Sequence, residues 1–392
     1  MSRPAITGAP CTGPAIRAAD WNHIAPDPWK RFRRKDDFLF TTPIHMTPRE
    51  RVRAALRFES PDRVPRDLWT LPWAERHFPE ELAEIRERFP PDIVTAPTPM
   101  IRSPRVSGDQ YTPGMYTDEW GCTFRSIQEG AIGEVREPIL AEISRWREVT
   151  PPYETFPGDR RKGVEEINAF CRRTDAFVLA EAWPRPWERY QFLRGSANAM
   201  MDIATMGEEV SGLLDVIQRY YMEELELWTR TDVDGVKFMD DWGAQNQLLI
   251  SPASWRKIFK PLYLEYAELA HARGKFIFMH SDGNIEQILP DLAEIGIDAV
   301  NSQIFCMDLD RIAGSVKGRI TFWGEIDRQH ILPSADPEAG RRAVAEVARH
   351  LYDSRGGIIA QLEFGLGANP AVVASVFDEW EKISTHSRGG PP

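Results

Sequence analysis

Cysteine is scarce in this chain: there are four among 392 residues, Cys11, Cys122, Cys171 and Cys306, and no two of them form a CxxC pair. That spacing excludes a zinc finger and a dithiol redox motif. In a chain of this size it is no disulfide framework either, so a reducing, cytoplasmic setting is expected. Long apolar runs are also missing. No stretch of about 18 apolar residues is available to span a bilayer, and the opening MSRPAITGAPCTGPAIRAAD lacks the apolar segment of a secretory leader. Basic charge is the third shortage. Lys plus Arg number 48 against 59 Asp plus Glu, a net charge of -11. With no sustained basic stripe to neutralise phosphates, nucleic acid is excluded as a partner, and so is a membrane surface.

What is present is an ordinary globular balance, 42% hydrophobic and 27% charged, in a chain long enough to bury a large core. Thirteen Trp and 31 Pro add rigid aromatic surface and frequent turn punctuation. Residues 1–45, rich in Pro, Gly and Arg, show no sustained period. They read as an arm, ordered only where Trp21, Trp29 and Phe32 dock. At Thr47-Pro48-Arg49-Glu50 the character changes: an N-cap, a Pro at the first helical position and a Glu three residues after the cap predict a helix running to about Phe58.

Beyond it, short apolar runs alternate with long amphipathic ones. Strands are expected over 63–71, 92–96, 176–183, 235–242, 275–281, 298–304, 319–326 and 357–364. Helices are expected near 80–89, 163–174, 195–231, 252–273, 285–296, 308–315, 336–354 and 370–384. Ser251-Pro252, Asp336-Pro337 and Asn369-Pro370 supply starts and Gly274 a stop. Strands separated by helices make a parallel sheet, and eight of them, with near-continuously apolar runs such as FIFM and GIIAQL, predict a TIM (β/α)8 barrel. The Gly- and Pro-punctuated segment 98–160 interrupts the rhythm and reads as an inserted lid or hairpin. The expected organisation is one barrel domain over 46–388 carrying that insertion.

In such a barrel the chemistry lies at the strand C-termini, and that is where polar residues gather in this sequence. GVKFM runs into Asp240-Asp241-Trp242, FIFM into His280-Ser281-Asp282, and TFW into Gly324-Glu325. The strand between those last two carries Asn301 and Gln303, and GIIA is followed by Gln361 and Glu363. His280 and Asp282, two apart on an extended chain, point to the same side. They are either a hydrogen-bonded core pair or a nitrogen-oxygen pair for a divalent ion of the zinc type. Asp240 and Asp241 cannot both face inward; Asp240 is taken as the inward one, with Asp241 capping a helix or pairing with Arg. Glu363 is a buried acid paired with Arg, a third metal ligand or a general base. Glu325 is a catalytic candidate, while Asp327 serves as a cap. Trp69, Trp183, Trp242, Asn301, Gln303 and Trp323 are expected to line a substrate pocket, although the Trp183–Trp187 cluster could equally be a core corner.

Four stretches carry a family resemblance: MTPRERVRAALRFESPDRVP, the long run from DDWGAQNQLLISP through FIFMHSDGN to GIDAVN, WGEIDRQHIL, and GLGANPAVV. Together they resemble uroporphyrinogen-decarboxylase-like proteins over about residues 46 to 384. The resemblance implies a distorted TIM barrel and two main chemistries. Tetrapyrrole decarboxylases open with an Arg-rich loop that grips carboxylates. The matching region of this chain reads Asp67-Leu68-Trp69-Thr70-Leu71-Pro72, without such a clamp. The other branch comprises zinc methyltransferases that hold the metal through an H-x-C pair and a later Cys. Here Asp282 replaces the first Cys, and Phe364, with Glu363 before it, stands at the second. A His280, Asp282 and Glu363 set would be harder and more Lewis-acidic than a thiolate site.

The resulting expectation is a metal-dependent methyltransferase or demethylase. It would move methyl from a small O- or N-methylated compound to a corrinoid or folate-type acceptor, with Asp240 and Glu325 as catalytic groups. No cobalamin-binding domain is apparent in the sequence, so a corrinoid would come on a partner protein or free; the resemblance is also compatible with a homodimer. Two alternatives stand beside this: a decarboxylase or lyase using Asp240 without metal on a small carboxylated substrate, and a catalytically inactive ligand-binding barrel.

Overall fold

A computed structural model describes residues 45–130 and 132–386; the expected arm, with Trp21, Trp29 and Phe32, lies outside the described residues. The chain enters on α1 (Pro48–Arg57), whose start is the predicted capping box. The Thr47 hydroxyl accepts from the Glu50 amide, and the Glu50 carboxylate accepts from the Thr47 amide at 2.9 Å. There follow β1 (Arg66–Thr70), α2 (Pro72–His77), α3 (Pro79–Arg88) and β2 (Ile93–Thr95). Three short antiparallel strands come next, β3 (Gly114–Thr117), β4 (Thr123–Ser126) and β5 (Glu134–Val135), forming their own sheet within segment 98–160. The β/α rhythm resumes with α4 (Arg160–Cys171), β6 (Phe177–Glu181), α5 (Pro186–Arg194), α6 (Ser196–Thr205), α7 (Glu208–Thr229) and β7 (Gly235–Met239). It continues with α8 (Pro252–Ile258), α9 (Lys260–Ala272), β8 (Phe276–Ser281), α10 (Leu289–Glu294), β9 (Ala299–Ser302) and α11 (Leu309–Val316). The last elements are β10 (Thr321–Trp323), α12 (Pro337–Leu351), β11 (Ile358–Phe364) and α13 (Pro370–His386).

The large sheet runs β1-β11-β10-β9-β8-β7-β6-β2, parallel throughout. Between its two ends the Asp92 amide donates to the Arg66 carbonyl at 2.8 Å, so the eight strands form a nearly closed TIM barrel. All eight fall inside the spans expected from the sequence. Two expected helices are each divided in two. The 195–231 span breaks where Met206 takes a left-handed conformation (φ 46°), and the 252–273 span breaks at Phe259, just before Pro261, which has no amide hydrogen to continue the ladder. The Trp183–Trp187 stretch, open between corner and wall, turns into α5 at Pro186.

The barrel interior is filled from below. Phe177, Leu179, Phe278, Ala299, Trp323 and Ile359 point inward, and Val52 and Leu56 of α1 pack against them as a plug. Ion pairs at strand starts pin α1 there: Arg51 to Asp62 and Asp92, and Arg49 and Arg53 to Asp234. With the lower barrel full of side chains, the polar residues above this layer are confined to the C-terminal mouth. Among the described residues, no helix is long and apolar enough to cross a membrane.

Candidate active site

Strand parity decides which acids reach the mouth. On β7, Val236 and Phe238 pack into the core shared with the surrounding helices, which leaves Lys237, Met239 and then Asp241 on the inner face. Lys237 accordingly stretches across the barrel, 2.7 Å from Glu181 and 4.7 Å above the Trp69 ring. On β8 the same alternation turns Phe278, His280 and Asp282 inward. His280 Nε2 stands 3.5 Å from Asp282 Oδ1 and 3.8 Å from Asp241 Oδ1. Asp241, His280 and Asp282 each offer a ligand atom within 4.8 Å of the others, the one such cluster of three among the described residues.

Two loops hold the carboxylates together. The Gly243 amide donates to the Asp282 carbonyl and the Asn284 amide to the Ala244 carbonyl, both at 2.9 Å, while Asp241 Oδ1 accepts from the Asp282 amide at 2.8 Å. The chains cross at Gly243 and Gly283 so closely that a Cβ on either would sit 2.2 Å from backbone of the other loop, and Gly283 also has φ +75°. Only glycine allows that approach.

The imidazole is oriented from behind. His280 Nδ1 is 2.6 Å from Asn301 Oδ1, and the Asn301 amide nitrogen donates to the Trp323 carbonyl and to Gln361. A backbone carbonyl can only accept, so it fixes the Asn301 amide. Asn301 Oδ1 must then accept from Nδ1–H, which turns Nε2 toward Asp241 and Asp282. One nitrogen and two carboxylate oxygens, 3.5–3.8 Å apart across the imidazole, suit a divalent ion with bonds of about 2.0–2.2 Å and open positions left for substrate. The residues present therefore fit a divalent metal ion.

Arg328, on the loop after β10, touches three acids. Its Nη2 donates to both oxygens of Asp282, its Nη1 lies 3.3 Å from Glu363, and its Nε lies 3.8 Å from Glu325. Glu325 is buried, and burial pushes its pKa up to about 8 against the pull of Arg328. Its Oε2 has no hydrogen-bond partner. Burial thus favours the protonated form of this carboxyl at the mouth. Desolvation also raises Asp241, with His280 opposing the shift. Deeper in the barrel, Asp67 accepts from the indoles of Trp69 (3.1 Å) and Trp323 (2.8 Å), and burial raises it to about 6.

Most of the expected site residues thus share the mouth: His280, Asp282, Asn301, Gln303, Glu325, Glu363 and Trp69, with Trp323 in the packed layer just below. Asn301 is an anchor for the imidazole, and Gln303 steadies Asp282 through a 3.2 Å hydrogen bond. Trp69 lies 5.5 Å from His280 and edge-on to fully buried Trp323. Trp183 stands exposed at the rim beneath Arg185.

Three expectations require correction. Asp240 faces outward, its carboxylate accepting from the Trp187 and Glu188 amides that open α5 and from the Tyr263 hydroxyl; burial there raises it to about 7. Asp241 takes the inward place. Trp242 is fully buried, stacked on Trp187 and donating to Tyr263, and lines no pocket. Glu363 is engaged by Arg328 and does not join the cluster around His280. A metal-free lyase working through Asp240 loses its proposed group by the same geometry. Sequence reasoning missed Arg328, Asp67 and the inner position of Asp241. The signal for the last was Lys237, a polar residue inside an apolar strand, which marks the odd-numbered face.

A family model described as uroporphyrinogen decarboxylase (URO-D) matches residues 120–381. The chain belongs to the uroporphyrinogen decarboxylase family. No curated protein sequence matches it. Among solved structures it is similar to a methyltransferase from Methanosarcina mazei, with a TM-score of 0.64, 15% identity, and coverage of 86% of this chain and 99% of that one. An intracellular xylanase from Thermoanaerobacterium saccharolyticum (TM-score 0.39, 12% identity, 82% and 98% covered) and an endo-beta-1,4-xylanase from Gloeophyllum trabeum (0.40, 11%, 83% and 99%) superpose too loosely to inform this chain. The first similarity places the URO-D-family barrel in the same fold as that methyltransferase.

Proposed function

We propose that this URO-D-family barrel is a metal-dependent methyltransferase or demethylase. It takes a methyl group from a small O- or N-methylated compound and passes it to a corrinoid or folate-type acceptor. The observation that carries the reading is the convergence of Asp241, His280 and Asp282, with Nδ1 of His280 held by Asn301 so that Nε2 faces both carboxylates. A divalent ion of the zinc class, held there, would polarise the substrate oxygen or nitrogen and make it a better leaving group. The similarity to a methyltransferase fold and the lack of an Arg clamp at Asp67–Pro72 favour this chemistry over tetrapyrrole decarboxylation.

The chain's own residues supply the rest. Glu325, its protonated form favoured by burial, donates its proton to the departing oxygen as the methyl leaves. Trp69 and Trp183 offer flat walls for a small aromatic compound, and Trp323 forms the floor. Gln303 steadies Asp282. The acceptor would reach the mouth free or on a partner protein.

The test is incubation of the purified chain with an aryl methyl ether and free cob(I)alamin. Methylcobalamin and the free phenol are expected in equal amounts, and both should be lost after chelation and in His280→Ala. Turnover that survives chelation undiminished would overturn the metal-dependent reading.

A further inference from the structure

We infer that Arg328 is a built-in competitor for the metal centre, a tethered cation that contests Asp282 with the divalent ion. The inference rests on the reading that Asp241, His280 and Asp282 hold such an ion. The guanidinium donates through Nη2 to both oxygens of Asp282. One of them, Oδ1, is also the oxygen 3.5 Å from His280 Nε2 and the acceptor of the Gln303 amide at 3.2 Å. A carboxylate oxygen has two lone pairs in the plane, and on Oδ1 both are engaged by these donors. The ion can reach this oxygen only if a donor yields. Gln303 is neutral, whereas Arg328 carries a permanent positive charge that a divalent ion repels, so Arg328 is the donor that gives way.

It has somewhere to go. Glu363 Oε1 lies 3.3 Å from Nη1, so a modest rotation moves the guanidinium onto an acid it already touches. Glu363 in this view is the resting place of the displaced arginine. The chain therefore sets its metal affinity by exchange between two cations, one covalently attached, and ion capture is coupled to the position of Arg328 over the mouth.

The test measures Zn²⁺ affinity by competition with a chromophoric chelator for the full chain and for Arg328→Met and Arg328→Lys, with melting temperature recorded for each. Arg328→Met is expected to bind at least tenfold tighter, about 1.4 kcal/mol. Arg328→Lys, which keeps the positive charge on a shorter side chain, should fall between it and the unmodified chain, and serves as the deciding variant if the Met form does not fold. Equal or weaker affinity in a folded variant overturns the inference, because Arg328 would then be a support for Asp282. If the unmodified chain binds Zn²⁺ and the variants bind no better, the competition fails alone. If none of the three binds, the metal reading fails with it.

Discussion

Glu325 shows how one residue's surroundings set its chemistry. Its carboxyl sits within reach of Arg328, which favours ionisation, yet burial wins and the pKa rises to about 8 from 4.5. Between those values the folded state holds a proton that the unfolded chain has released, so unfolding free energy falls as pH rises. The stabilisation is complete below 4.5 and lost above 8. Asp67 (about 6), Asp240 (about 7), Glu224 (about 7) and Glu188 (about 8) are raised by burial in the same direction. The melting temperature is therefore expected to drop steadily from pH 5 to pH 8. Glu325→Gln should flatten part of that slope, which for one group is at most about 1.4 kcal/mol per pH unit. Thermal melts of both proteins across this range check it; parallel slopes would show that Glu325 ionises like an exposed acid.

At the scale of elements, the two neighbouring aspartates after β7 have separate work. Asp240 binds the first amides of α5 and Tyr263, tying a helix to a strand end, whereas Asp241 reaches the imidazole. Asp240→Asn is expected to lower stability by about 1–3 kcal/mol while Zn²⁺ still binds. Asp241→Asn should leave stability nearly unchanged and weaken Zn²⁺ binding at least tenfold. Denaturant unfolding with metal titration separates the two, and the reverse pattern would return Asp240 to the mouth. This pair also marks how far the sequence could be read. All eight strands were legible because their apolar runs and flanking caps are local signals, and the H-x-D spacing put His280 and Asp282 on one face by period alone. The DD pair carries no such internal guide: its parity depends on whether Val236 and Phe238 or Lys237 face the helices, a packing question. Arg328 escaped notice because its partners, Asp282 and Glu363, stand 46 and 35 positions away. Trp242 was misplaced because an indole before a glycine at a strand end looks the same in sequence whether it walls a pocket or, as here, packs under α5.

For the whole molecule, an apolar lower barrel plugged by α1 confines polar chemistry to one mouth, where segment 98–160 also contributes. Tyr111 of that segment is raised by burial and by the carboxylates of Glu363 and Glu181 at the strand ends. The acidic balance of the chain has a local counterpart there: Asp282, Glu325 and Glu363 share the Arg328 guanidinium, and Asp241 lies beside His280 with Arg185 acting on it as well, so acids outnumber cations in a way that favours a divalent ion. The most direct measurement is a crystal of the full chain grown with Zn²⁺, analysed by anomalous diffraction at the zinc edge. One strong peak is predicted, bonded to Asp241, His280 Nε2 and Asp282 at about 2.0–2.2 Å. A peak seated instead on Glu363 and Glu325, or no peak at the mouth at full Zn²⁺ loading, would contradict a metal centre built on His280.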